Sequence, residues 1–506
     1  MNALLAFVTL FALPIVGALG LWLARRTAST ARWLSVTVGA VLVAVSGWQV
    51  ANAASGDVFV HAFGGWSAPF GIVFVVDRLS AVLVVLADVL YLSAVLALRP
   101  GVHGERVVSR AAPLLLLLLL GLHGAFMTGD LFNLFVMFEL VLISSYLLLQ
   151  VPGSSRSLRS AFPNVVINLL ASLLFFGGVG TFYGLVGSVN LADLATRLPL
   201  VDPSLRWAAL SMIVVAFGTK AALLPVVFWL PGTYPTPSAP IASFFAGIMT
   251  KLGAYSLLRI SPLLLAGTSL PTVLVWVGAA SALLGVLAAL SQTELRRLLA
   301  FHSVSQMGYV VASLGLLSVA GIAGALYFLV HHALVKASLY LVADELERRH
   351  GHRDLRRMPV SKSGSSAMLG GLFLAAATTL AGLPPTSGFI AKVSVFVAGM
   401  DADAWVPLTA LVLASLFTLA SMLKIWQFAF QGTVSKSPLP AQSSTCNPWL
   451  APLGGLVALT VLLSASAGPS LRFARSTAEQ LLDVDAYVTH VKTAPGHGLG
   501  RQGVWR

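Results

Sequence analysis

The chain is 506 residues long, 57% hydrophobic and only 10% charged, with a mean hydropathy of +0.89, which excludes the soluble classes and leaves a polytopic membrane protein. The net charge of +13 does not mark a nucleic-acid partner, because the basic residues are scattered over short loops with no aromatic-interleaved basic face. The single cysteine, Cys446, excludes disulfides, iron–sulfur clusters and zinc–thiolate sites made by this chain alone, and neither a cofactor nor a metal site is expected.

Uncharged apolar runs of about 20 residues, such as Leu270 to Leu290, read as membrane helices, whereas a barrel strand would alternate over about ten. Fourteen spans are expected, near 2–24, 33–53, 71–98, 111–128, 131–151, 162–187, 207–230, 239–259, 271–291, 298–318, 321–344, 365–396, 404–430 and 449–468. The first lacks a basic leader and a small-residue cleavage site, so it reads as a retained span. Arg25, Arg26, Arg32, Arg99, Arg106, Arg110, Arg156, Arg159, Arg296, Arg297, the group from Arg348 to Lys362, and Lys436 fall in odd-numbered loops. Even-numbered loops hold only Arg197, Arg206 and Arg259. By the positive-inside rule the odd loops are cytoplasmic and both termini lie outside. The expected organisation is one all-α transmembrane domain, 1–468, followed by a tail, 469–506, that reads as mostly disordered or surface segment.

In the fifth span, FNLFVMFEL, Glu139 has Phe135 and Ile143 one turn to either side, so its partner must come from another helix, and Lys220 is the obvious one. A static ion pair that fixes helix packing is the alternative reading. The seventh span reads KAALLPVVFWLP from Lys220 to Pro231, and the twelfth GLPPTSGFIAK from Gly382 to Lys392. Each joins a helix-breaking proline to a lysine, and a broken helix at membrane depth survives only against protein or a watery cavity. Such pairs in corresponding places mark inverted-repeat transporters. Spans four to eight (111–259) and nine to thirteen (271–430) form the two expected five-helix repeats. The eighth span holds Lys251 and Tyr255 at i and i+4, which sets the phenol beside the amine. In the tenth, His302, Ser305, Gln306 and Tyr309 can order water or bond helix to helix. Along the eleventh, His332, Lys336, Tyr340 and Asp344 stack on one face at four-residue spacing, with the histidine either a relay between lysines or a packed hydrogen-bonder. Lys424, in SMLKIWQFAF of the thirteenth span, reads as a packing or snorkelling residue.

One charge at the centre of a membrane helix costs roughly 2.5–3.5 kcal/mol, so five lysines and one glutamate left unpaired would cost about 15–20 kcal/mol. Typical domain stability is smaller. These groups must therefore be paired, hydrated or at times neutral, and a string of them is what a proton or cation path needs.

With these residues assembled, the chain resembles the antiporter-like membrane subunits shared by respiratory complex I, membrane-bound hydrogenases and Mrp-type cation/proton antiporters. Within that family it is most similar to the D-type branch of the Mrp antiporters. The resemblance rests on GDLFNLFVMFELVLISSYLLL from Gly129, VGSVNLADLA from Val186, FWLPGTYPTPSAPIASFFAGIMTKLGAY from Phe228, ELRRLLAFHSVSQMGY from Glu294, HHALVKASLYLVA from His331 and GLPPTSGFIAK from Gly382, and it covers nearly all the chain. It implies a bacterial plasma-membrane subunit whose partners are the other subunits of a hetero-oligomeric complex, protons, Na⁺ or K⁺, and lipid. It further implies that Glu139 and Lys220 are a coupled pair facing one half-channel, that Lys251 connects, that His332 and Lys336 relay, and that Lys392 faces the other half-channel.

Three features depart from the family pattern: Asp88 in the third span, and Asp344 with Glu345 where relatives have a small glycine-containing turn. Three functions stay open on the sequence: a transport subunit of a multisubunit Na⁺ or K⁺/proton antiporter, a proton-pumping subunit of a complex I-like or hydrogenase redox complex, and a scaffold. The double helix breaks disfavour the third.

Overall fold

A computed structural model describes residues 2–23, 27–66, 68–151, 153, 155–358, 365–431 and 450–493. Helices α1 (Ala3–Leu23) and α2 (Ala28–Ala54) lead into an antiparallel hairpin, β1 (Phe59–Ala62) and β2 (Val73–Val76), paired from Phe59 opposite Val76 to Ala62 opposite Val73. Next come α3 (Arg78–Ala97), the one-turn α4 (Pro100–His103), α5 (Glu105–Met127), α6 (Leu131–Gln150), α7 (Ser155–Val186) and the short α8 (Leu191–Arg197). An interrupted pair, α9 (Pro203–Lys220) and α10 (Trp229–Thr233), precedes α11 (Ala239–Ile260), α12 (Leu270–Ser291), α13 (Leu295–Leu314) and α14 (Val319–His350). A second interrupted pair, α15 (Ser365–Ala381) and α16 (Ser387–Asp401), is followed by α17 (Trp405–Phe430), α18 (Ala451–Ala465), α19 (Ala467–Leu482) and α20 (Val484–Thr493).

Ten of these helices, α1, α2, α3, α5, α6, α7, α11, α12, α14 and α17, are long and apolar enough to cross a membrane, and an eleventh is added when the bent pair α18 and α19 counts as one span. Each of the fourteen expected spans overlaps a helix, the third only from Arg78 onward, but four of them do not meet the length and apolarity of a span on one straight helix. The helix of the seventh stops at Lys220, that of the tenth, α13, starts earlier and takes in Arg296 and Arg297 besides His302, the twelfth is interrupted after Ala381, and the helix of the fourteenth, α18, is 15 residues long.

Two expectations are corrected. The apolar run at the start of the expected third span forms β2, because Asp77 N-caps α3 by accepting from the Ser80 amide and so fixes the helix start. The tail after Gly468 is helical through Thr493. Ala474, Thr477, Ala478 and Leu481 form a buried stripe on α19 at helical spacing, and Val491 of α20 packs with Val73, Val75 and Ala192. The GHGLG stretch lies outside the described residues, as do Arg25, Arg26, Lys362 and Lys436.

The core is centred on α11, which is buried along its whole length, and on α14, which is mostly buried. A helix that is apolar all round must be surrounded by others, and α3, α5, α9, α13 and α16 do this between them. Both helix breaks are packed tightly. A Cβ at Gly253 of α11 would overlap the backbone at Ala221, and one at Gly388 of α16 would overlap the Thr379 carbonyl. The backbone groups released at the first break find side-chain partners: Trp229 Nε1 donates to Thr219 O at 2.8 Å, and the Leu224 amide donates to Ser281 Oγ at 3.0 Å. That is the satisfaction irregular backbone requires at membrane depth. One end of the bundle carries the hairpin, α8 and α20; the other carries Arg99, Arg296, Arg348 and Arg353.

Candidate functional site

The buried cations are brought into one interior band. Lys220, Lys251, Lys336 and Lys392 are 5%, 0%, 0% and 2% exposed, respectively. Lys220 is the last residue of α9, and its Nζ donates to Asn168 Oδ1 on α7 at 3.1 Å. Lys251 donates to the Ala246 carbonyl at 2.9 Å, and Lys336 to the Leu299 carbonyl at 2.6 Å. Lys392 reaches back across its own break, donating to the last carbonyl of α15, Ala381, at 2.6 Å and to Ser415 Oγ at 2.9 Å, with Nζ 5.6 Å from the centre of the Tyr309 ring.

Glu139 and Lys220 are not in ion-pair contact. Glu139 accepts from Ser172 Oγ at 2.5 Å, and Ser172 stands one turn along α7 from the Asn168 that holds Lys220. The two charges thus meet opposite ends of a short polar edge, while acting on one another through space. Asn164, Asn168 and Ser172 recur every fourth residue in the otherwise apolar stretch 161–180 of α7, a periodicity legible in the sequence that charge alone does not reveal. Beside this edge a cavity of about 20 Å³, lined by Ser145, Asn164, Asn168, Lys220, Met249 and Leu252, has room for about one water.

Tyr255 does not accompany Lys251. Its hydroxyl donates to Phe126 O at 2.7 Å, and the ring lies against Arg259, which is bound to Asp77 through both guanidinium arms at 2.5 and 2.9 Å. The stripe on α14 divides likewise. His332 and Lys336 face the interior band, Tyr340 donates to Arg296 O at 3.1 Å, and Asp344 belongs to an ion cluster at the arginine-rich end, 3.7 Å from Arg296, 3.3 Å from Arg348 and 3.6 Å from His103. Glu345 pairs with Arg349 at 2.7 Å and with Arg348. The departures at Asp344 and Glu345 therefore serve the rim, not the band.

Between the lysines lie polar atoms without partners among the described residues: both ring nitrogens of His332, both amide atoms of Gln306, His302 Nδ1, His331 Nε2 and Thr250 Oγ1. A buried polar atom left bare costs about 1–3 kcal/mol, and water bridging such atoms removes that cost. His302 Nε2 contacts Ser421 Oγ at 2.8 Å, and His331 Nδ1 contacts Ser387 Oγ at 3.1 Å. His331 lies off the four-residue stripe of its neighbour, so spacing does not single it out. Mutual Coulomb interaction links Lys251, His332, Lys336, His302, His331 and Lys392. Lys424 stands apart, half-buried, donating to Leu290 O and Gln292 O, each at 2.7 Å, at the end of α12.

Comparison with known proteins agrees with this architecture. The NADH:quinone oxidoreductase/Mrp antiporter transmembrane family matches residues 128–418. The D subunit of the Na(+)/H(+) antiporter of Alkalihalophilus pseudofirmus is 36% identical over 458 residues, 90% of this chain and 92% of that protein. The D subunit of a probable K(+)/H(+) antiporter of Rhizobium meliloti is 33% identical over 479 residues, 87% of each. In the solved structure of the Mrp complex from Dietzia sp., one chain superposes with a TM-score of 0.89 at 30% identity, over 97% of this chain and 100% of that one. The chain belongs to the NADH:quinone oxidoreductase/Mrp antiporter family of membrane subunits, and within it is similar to the D subunits of the Mrp type.

Proposed function

We propose that this chain is the proton-translocating subunit of a multisubunit Na⁺ or K⁺/proton antiporter in a bacterial plasma membrane, and that protons follow Glu139, Lys220, Lys251, His332, Lys336 and Lys392. The observation that carries this reading is the nature of the lysines' partners. Each hydrogen-bonds to a neutral oxygen: an amide, a hydroxyl or a backbone carbonyl. An amine held in this way can lose its proton without stranding a buried anion, whereas breaking a buried ion pair leaves an uncompensated charge that costs about 3–5 kcal/mol. The buried arginines are held differently, against carboxylates, as in Arg259–Asp77 and Arg296–Glu347. Arginine does not titrate in proteins. A scaffold would need only the second kind of contact.

On this reading the proton on Lys220, steadied by Glu139 through space, passes to Lys251, whose chain neighbours Met249 and Leu252 line the cavity beside Lys220. His332, with both nitrogens open, accepts from Lys251 and donates to Lys336. Gln306 and His302 then order the water that leads to Lys392. Each lysine must be neutral to receive, so a proton arriving at one repels the next onward.

The helices short of spanning length complete fourteen spans, α15 and α16 sharing one. Spans 111–259 and 271–430 are two inverted repeats, both breaks fall in the fourth helix of their repeat, and both termini face outward. The same row of groups would serve a redox-driven pump. Co-purification separates the two: small antiporter subunits support the first reading, and hydrogenase or quinone-reductase subunits replace it with the second. Lys220→Ala and Lys392→Ala should each abolish cation-driven proton flux in membrane vesicles while the complex still assembles. Full flux in either variant would refute the path.

A further inference from the structure

Away from the lysine row, α1, α3 and α5 converge on a second pair of buried titratable groups. His123 and Asp88 are both 0% exposed, with Nε2 and Oδ1 2.8 Å apart, and His123 Nδ1 lies 2.9 Å from the carbonyl of Leu10. That carbonyl is available for a reason written into the sequence. Its helical partner would be the amide of residue 14, which is Pro14 and has no N–H. A carbonyl only accepts, so Nδ1 must carry a hydrogen, and the tautomer is thereby fixed.

With Nδ1 committed, the 2.8 Å contact on the other side of the ring must hold a proton, since two bare acceptors would repel. The couple is then neutral overall, either imidazolium with carboxylate or imidazole with carboxylic acid. His123 has no other outlet. Asp88 has one unpartnered atom, Oδ2, which is buried and makes no hydrogen bond among the described residues; the hydroxyl of Tyr91, one turn along α3, stands beside it and beside Ser35 of α2. The surrounding helices offer little else. α1 has no titratable side chain, Arg32 of α2 is turned to Leu96 O, Lys251 and Tyr255 of α11 are bonded to Ala246 O and Phe126 O, and Glu139 of α6 is held by Ser172. The remaining charges of α5 (Glu105, Arg106 and Arg110) lie at its far end.

We propose that His123 and Asp88 form a second proton-binding site, separate from the lysine row, that holds one proton between Nε2 and Oδ1 and exchanges it only through Oδ2 of Asp88. One unpartnered atom, where a link in a path needs two, makes it a terminal store. When the store empties, the Asp88 carboxylate turns to the Tyr91 hydroxyl.

Asp88→Asn tests the site in the intact complex. Asparagine can donate its amide N–H to Nε2, which keeps the shape and the hydrogen bond but binds no proton. Infrared difference spectra of the purified complex across a pH jump should lose one carboxyl or imidazole signal in D88N, while flux at saturating cation stays within about twofold of wild type. Unchanged spectra would overturn the proposal, and so would a signal that survives D88N. Should D88N fail to assemble, Pro14→Ala decides, because its restored amide competes for Leu10 O and frees Nδ1. The imidazole signal must then move, and one that does not move refutes the tautomer lock. Neither variant touches the lysine row, so loss of flux in Lys220→Ala stands or falls separately.

Discussion

Replacing Asn168 by leucine removes the best acceptor of the Lys220 ammonium with little change in side-chain size. The amide oxygen lies 3.1 Å from Nζ, and the Asn168 backbone carbonyl, at 3.5 Å, is too distant to take its place. A hydrogen bond to a charged group is worth about 1.5–3 kcal/mol, and each 1.4 kcal/mol is roughly a factor of ten. If the charged state of Lys220 lies on the route, flux should fall about 10- to 100-fold. Asn164→Leu removes the side-chain acceptor of the Asn168 amide, at 2.7 Å, and should lower flux less, since among the described residues Asn164 has no hydrogen bond to the lysine. The assay is cation-driven pH change in everted vesicles followed with a fluorescent probe, normalised to the amount of assembled complex. Wild-type flux in Asn168→Leu, with assembly intact, would refute the role given to this amide.

Two further substitutions separate transport from architecture. Lys424→Ala uncaps the carbonyls of Leu290 in α12 and of Gln292 just past its end, so the complex should lose about 1–2 kcal/mol of stability and melt a few degrees lower in a thermal-shift scan, with flux per complex near wild type. A more than tenfold loss of flux at unchanged stability would place Lys424 in the path instead. Gly388→Val forces a side chain into the Thr379 carbonyl at the second break, and blue native gels should show little assembled complex; normal assembly would mean that α16 does not need this close approach.

What the sequence made legible was local. A lysine in an apolar run and a proline beside it are visible within a dozen residues, so Lys220, Lys392 and both breaks stand out from the residue order alone. Partners do not, because they come from afar: Asn168 is 52 residues from Lys220, and Ser172 is 33 from Glu139. Charge complementarity pointed to a Glu139–Lys220 contact, yet the polar edge of α7 intervenes. Spacing put Tyr255 on the face of Lys251, but the i, i+4 rule fixes only the face, and the phenol found the Phe126 carbonyl. Strand β2 was hidden because a short apolar run reads equally as helix. The tail misled through composition, since the apolar stripe of α19 is too narrow to stand out against the polar residues on its other faces.

Lys392 and Lys424 show why a shared contact does not imply a shared role. Both donate to carbonyls at the C-terminal end of another helix, where the helix dipole favours a cation. Lys392 does so at 2% exposure, with Ser415 as its other partner, so a proton placed on it can leave only through neighbouring groups. Lys424 is half-buried near the arginine-rich rim, where bulk water competes for the same amine. A proton on Lys424 has the rim and its water as its nearest exchange partners, and among the described residues no polar group bonded to the amine leads inward. Lys424 caps the helix, and the property that divides the lysines of this chain is isolation from bulk solvent, which no count of charges in the sequence records.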